Sequence, residues 1–137
     1  MAKLLLVLCF TLLPVYTHAF CFQQAGQRYG VSPTLLRVIA KAESNFNPSA
    51  TNHNRNDTVD VGLMQINSIW ADQLGSTWND IFDPCTNVMV GAWILSQCIH
   101  NYGSNWQAVG CYHSRTPTKR DAYAAKIVHI YKTEIRP

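Results

Sequence analysis

Apolar residues recur at helical spacing along most of the chain, and no stretch alternates strictly enough to predict a long strand. The clearest pattern is Pro33–Glu43, where Ser32 suits the N-cap and Pro33 the first helical position. At about 100° per residue, Leu35, Leu36, Val38, Ile39, Ala42 and Phe46 share one broad arc, with Arg37, Lys41 and Ser44 opposite. A second start signal, Asp83-Pro84, opens a longer helix. Val88, Ala92, Leu95, Ile99 and Tyr102 mark its face, and Gly103 stops it. Shorter helical patterns cover Cys21–Tyr29 (ended by Gly30), Asn67–Leu74 (ended by Gly75) and the stretch around Trp106–Tyr112. Thr118–Lys132 repeats Tyr123, Ile127 and Ile130 or Tyr131. The polar stretch Thr51–Asp60 predicts an irregular loop or small hairpin, too short to separate domains. The expected fold is one mostly α-helical domain.

Against this pattern one residue is misplaced. Glu43 falls angularly between Leu36 and Ile39, inside the apolar arc. Burial disfavours a charged carboxylate, so a pKa above the ordinary glutamate value is expected there. That is the condition for a carboxylic acid to stay protonated near neutral pH and act as a general acid. A Glu at a helix end that snorkels to solvent, or meets an Arg, is the plainer reading.

The first 19 residues change the setting. Met1-Ala2-Lys3, an apolar run from Leu4 to Val15 and then Thr17-His18-Ala19 predict a secretory signal peptide over 1–19, cleaved near Ala19. Residues 20–137 then form the working domain. The apolar run is too short for a comfortable membrane span, and neither Cys9 nor Cys21 follows a lipobox. No stable membrane anchor is expected after cleavage. Export leaves Cys21, Cys85, Cys98 and Cys111, which allow two disulfides in three pairings. Cys85 and Cys98 would stand about 20 Å apart on one helix, which removes their mutual pairing. Scattered histidines without CxxC or HExxH spacing predict no metal site. The formal charge of +3, which falls to +2 with the loss of Lys3, is not gathered into basic runs. It gives nucleic-acid binding no support, but it suits an anionic polymer such as cell wall.

Two motifs then narrow the chemistry. Glu43-Ser44-Asn45-Phe46 is followed, beyond the polar loop, by Gly62-Leu63-Met64-Gln65-Ile66. With these residues in this order after a leader, the chain resembles the lysozyme-like lytic transglycosylases. It is most similar to the small members that accompany type III and type IV secretion systems and pili. The likeness runs from Cys21 to about Tyr131. The family's third motif, Ala-Tyr-Asn-x-Gly, is matched only in part by Gly110-Cys111-Tyr112-His113-Ser114-Arg115. His113 replaces the Asn, and Arg115 stands near the expected Gly.

The resemblance implies a lysozyme-like fold and periplasmic cleavage of the β-1,4 bond between N-acetylmuramic acid and N-acetylglucosamine. Glu43 would be the acid/base, and no cofactor is needed. Ser44, Met64, Gln65, Tyr112 and Tyr123 become candidates for holding substrate or positioning Glu43. Each has a duller alternative as cap, core or loop residue. A Cys21–Cys85 bridge is also implied, leaving Cys98 for Cys111. Asp60, 17 residues after Glu43, is a candidate second carboxylate, or else a turn aspartate serving backbone N–H groups. The alternatives to a transglycosylase are a hydrolytic muramidase using Glu43 and Asp60, or an idle glycan-binding assembly factor. Glycan strands are the expected partner, with a secretion-system or pilus component beside them.

Overall fold

The computed structural model describes residues 20–134, so the leader expected over 1–19 lies outside the described residues. Six helices run in the order α1 (Phe22–Tyr29), α2 (Pro33–Ser44), α3 (Ala71–Leu74), α4 (Pro84–Tyr102), α5 (Trp106–His113) and α6 (Pro117–Glu134). Strands β1 (Thr51–His53), β2 (Val59–Val61) and β3 (Ile66–Asn67) lie between α2 and α3. This is a mostly α-helical, lysozyme-like architecture.

The local signals act where the sequence puts them. The Ser32 side chain accepts the Leu35 N–H, and that of Asp83 accepts the Thr86 N–H, so each cap satisfies a first-turn donor. Gly30 closes α1 at φ 65°, in the left-handed region that a side chain would disfavour.

Helix α4 is central. Its buried residues, including Val88, Val90, Ala92, Ile94 and Leu95, reach around the helix, because it packs against α1, α2, α5 and β3 at once. Leu36 and Ile39 of α2, Leu63, Met64, Ile66 and Ile127 of α6 complete the same core.

Two expectations need correction. The polar stretch forms a hairpin, but Ile66–Asn67 adds a third antiparallel strand to it, in the order β1-β2-β3. Two residues are too short for periodicity to register, and pairing with β2 supplies what the pattern lacks. The buried arc of α2 also extends past Ala40, which is fully buried, to Ser44. Ser44 therefore belongs to the inner side of the helix.

The disulfides join Cys21 to Cys85 (Cα–Cα 5.2 Å) and Cys98 to Cys111 (5.8 Å). The first ties α1 to the start of α4, and the second ties the end of α4 to α5. Their sequence separations are 64 and 13 residues. On chain-entropy grounds, replacing the first pair by serines costs about 4 kcal/mol and the second about 3 kcal/mol. Thermal melts of the two double variants should rank in that order. Equal or reversed losses would show that native packing, not loop closure, sets their worth.

Candidate active site

One turn organises the site. Gly62 (φ 77°) and Gln65 (φ 49°) bracket Leu63 and Met64, and the Gln65 N–H returns to the Gly62 carbonyl at 3.1 Å. A Cβ on Gly62 would lie 2.2 Å from the Asn87 Nδ2, so only glycine fits that face of the turn. Gly91 plays the matching part on α4, where a Cβ would stand 2.8 Å from the Met64 side chain. The turn thus sits directly on α4.

Side chains from three helices fasten it. The Ser44 Oγ donates to the Leu63 carbonyl at 2.8 Å, from the end of α2. The Tyr112 hydroxyl, from α5, donates to the Met64 carbonyl at 2.7 Å. Asn87, fully buried on α4, accepts the Met64 N–H at 2.7 Å and donates to the Val61 and Ile81 carbonyls at 3.0 and 2.9 Å. The Gln65 Nε2 donates to the Gly62 and Ala50 carbonyls, at 3.0 and 3.3 Å. Motifs far apart in sequence therefore converge on one backbone segment.

The turn borders a cleft of about 1130 Å³, lined among others by Glu43, Asn54, Asp60, Gln65, Asn67, Trp70, Tyr112, His113 and Lys126. A smaller pocket of about 550 Å³, lined by Arg28, Tyr29, Leu74, Met89 and Trp93, holds no carboxyl group. Of the two, the larger cleft is the one that offers carboxyl groups for acid–base chemistry.

Glu43 projects from the last turn of α2 into that cleft. The Tyr123 hydroxyl of α6 donates to the Glu43 Oε1. Burial raises the Glu43 pKa above its ordinary value. The Tyr123 hydrogen bond and then the Lys126 charge pull it partly back, and the Asp60 charge adds the smallest push upward. Burial wins. The carboxyl is held toward its protonated form and oriented at the same time.

Asp60 lies on the middle strand, where Val61 faces the core and the alternation turns Asp60 to the other face. Asn54 donates to its Oδ2 at 2.9 Å and Asn67 to its Oδ1 at 2.6 Å. Both carboxylate oxygens are fixed, and the side chain shares the cleft with Glu43.

The two tyrosines take different parts. Tyr112 lines the cleft, but its hydroxyl holds the turn and not Glu43. Tyr123, which helical spacing alone would make a core residue, is buried and supplies the bond to Glu43. Neither Ser44 nor Met64 lines the cleft. The Ser44 hydroxyl is engaged with Leu63, and Met64 is wholly core. Gln65 does reach the cleft, with its amide N–H groups turned to backbone carbonyls.

Sequence reasoning missed Asn87, Asn54, Asn67 and Lys126. For Asn87 a signal existed. It stands one turn before Gly91 on an apolar helix face, the same anomaly that marks Glu43. His113, at the departure from the third motif, stacks on Tyr123 with ring centroids 4.8 Å apart and planes 7° from parallel. Burial and the nearby Lys126 lower its pKa. No group of residues able to hold a metal ion occurs among the described residues.

Comparison with known proteins identifies a family and relatives of this chain. The family model described as "Transglycosylase SLT domain" matches residues 20–128. Protein IpgF of Shigella flexneri is 36% identical over 136 residues, covering 96% of this chain and 88% of that protein. Invasion protein IagB of Salmonella typhimurium is 41% identical over 122 residues, covering 83% and 76%. The X polypeptide of Escherichia coli K12 is 32% identical over 142 residues, covering 96% and 84%.

Proposed function

The chain belongs to the transglycosylase SLT domain family and is an enzyme acting on peptidoglycan; from that premise we propose that it cleaves the β-1,4 bond between N-acetylmuramic acid and N-acetylglucosamine and leaves a 1,6-anhydromuramyl end. One observation carries the reading. Glu43 is a half-buried carboxyl with a raised pKa, oriented by Tyr123, and it opens onto the large cleft.

Protonated Glu43 gives its proton to the glycosidic oxygen as the C1–O4 bond breaks, and positive charge develops at C1 and the ring oxygen. The carboxylate so formed takes the proton of the muramyl C6 hydroxyl. The C6 oxygen then bonds to C1, which closes the anhydro ring and restores the acid. Water is not consumed. The residues present suffice for this sequence of proton transfers, and none of its steps calls for a cofactor.

Asp60 supports a second reading, because it shares the cleft and its oxygens are held in place by Asn54 and Asn67. In a hydrolytic muramidase such a carboxylate would stabilise or attack C1, and water would complete the cycle. Mass spectrometry of digested muropeptides separates the two, since the anhydro product is lighter by one water. We expect anhydro ends to dominate. Reducing ends as the main product would decide for hydrolysis. In the transglycosylase, the Asp60 charge stabilises the oxocarbenium-like centre without bonding to it.

The pH profile tests the local electrostatics. Glu43 must be protonated to act first, so kcat/KM falls as pH rises through its pKa in the free enzyme. The Tyr123 hydrogen bond favours the charged form, so Tyr123→Phe should move that basic limb to higher pH while lowering the maximum rate. The Asp60 charge disfavours a second ionisation nearby, so Asp60→Asn should move the limb slightly to lower pH and reduce the rate. Shifts in the same direction, or none, would break the assignment of Glu43 as the acid.

The leader expected over residues 1–19 and the two disulfides fit the periplasm. There the enzyme would open the wall locally for a secretion or pilus assembly. The designation of the Salmonella relative as an invasion protein agrees with such a setting. Among the described residues no helix is long and apolar enough to cross a membrane.

A further inference from the structure

The cleft holds more positive charge than a neutral glycan backbone calls for. Arg55 comes from the loop between β1 and β2, Arg115 from the connection between α5 and α6, and Lys119 from the first turn of α6. All three are exposed, and among the described residues none has an ion-pair, hydrogen-bond or ring partner. Most cations elsewhere do. Lys41 pairs with Glu134 and Arg120 with Asp121, while Arg28 lies over Tyr29 and Arg37 over Phe22 and Phe46. Lys126, also in the cleft, donates to the Ala42 carbonyl at 3.0 Å. The cleft carboxyls do not answer the three free cations, because Asp60 is taken by two asparagine amides and Glu43 by Tyr123.

Hydroxyl and acetamide groups are served by amides, hydroxyls and backbone groups, which the cleft also offers. Unpaired guanidinium and ammonium groups complement carboxylates. Peptidoglycan carries such groups beside the glycan, on the acidic stem peptides attached to each muramyl lactyl group. We propose that Arg55, Arg115 and Lys119 form a carboxylate-binding subsite for the stem peptide, so that the enzyme prefers peptide-bearing strands to strands stripped of peptide. This inference rests on the glycan-cleaving reading of the same cleft and adds the part of the substrate it selects.

Stripping the peptide also exposes a lactyl carboxylate, so the test needs three ligands: peptide-bearing strands, amidase-stripped strands and neutral chitohexaose. Binding is measured on the Glu43→Gln protein, which does not consume them. Peptide-bearing strands should bind roughly tenfold more tightly than stripped strands at low salt, the sum of a few exposed charge contacts. The gap should close at about 0.5 M salt, where such contacts are screened. It should also close when Arg55→Gln, Arg115→Gln and Lys119→Gln are added together. These are exposed substitutions, and an unchanged melting temperature would show that the fold survives them. In the active background, the ratio of turnover on peptide-bearing and stripped strands should fall toward one in the triple variant.

Equal binding of peptide-bearing and stripped strands by the parent overturns the proposal, as does a gap that persists in the triple variant. Preference for stripped strands over chitohexaose, with no further gain from peptide, assigns the cations to the lactyl carboxylate and overturns the peptide subsite. Failure to bind any of the three ligands takes down the glycan cleft as well. Strand binding without peptide preference leaves the proposed reaction standing and removes only this inference.

Discussion

Replacing Glu43 by Gln should lower turnover of peptidoglycan by roughly three orders of magnitude while the protein stays folded. Gln keeps the shape of the side chain and can still accept the Tyr123 hydroxyl, but it has no proton to give and none to take back. No other carboxyl in the cleft can substitute, because Asp60 is fixed by Asn54 and Asn67 on a different element. Stability gives an independent check on the same residue. The folded pKa of Glu43 lies above its ordinary value of 4.5, so the wild type loses stability as pH rises from about that value through the folded pKa. The neutral Gln has no such loss. The melting temperature of Glu43→Gln relative to wild type should therefore climb with pH across that window. A folded variant with near wild-type lysis would end the acid–base assignment, and an idle glycan-binding role predicts no loss because there is no activity to lose.

Asn87→Ala should be the most damaging single change outside the chemistry. Asn87 is fully buried and makes three hydrogen bonds, to the Met64 N–H and to the Val61 and Ile81 carbonyls. Truncation leaves one donor and two acceptors without their partner, together with a small cavity beside Gly62. At about 1–3 kcal/mol for each buried group left unsatisfied, the loss is on the order of 4 kcal/mol, a large part of the stability of a domain this size. The melting temperature should drop by roughly 15 °C. Activity measured well below the new midpoint should also fall, because the same amide holds the turn that presents Gln65 and anchors Tyr112. A loss under about 1 kcal/mol would mean that water replaces the amide, and that the turn is held by Ser44 and Tyr112 alone.

Parts of the site were legible in the sequence for a definite reason. Glu43 announced itself because helical periodicity is local. A carboxylate on the apolar arc of α2 is improbable in any helix that packs, so no tertiary knowledge is needed to notice it. Helix α4 was equally plain, since Asp83, Pro84 and Gly103 act within a few residues of the helix ends they set. The choice between Tyr112 and Tyr123 was not legible. Both sit at helical spacing with apolar neighbours, and which hydroxyl meets Glu43 depends on how α5 and α6 stand against α2. That Ser44 bonds to the turn and Met64 lies in the core was hidden for the same reason. A motif records that residues matter together, but not whether each faces the cleft or the turn behind it.

By itself the sequence determined the helices, the polar hairpin region, the exclusion of a Cys85–Cys98 bridge and the place of one carboxylate on the apolar arc of α2, all consequences of periodicity, capping and rise per residue. Tertiary structure alone decided that Ser44, Tyr112 and Asn87 converge on the Gly62–Gln65 turn, that Tyr123 orients Glu43, and that Asp60 faces the same cleft between two asparagines. Those contacts join residues between 6 and 80 positions apart. Their energies depend on burial and on distances of about 3 Å, quantities that exist only once the helices have packed.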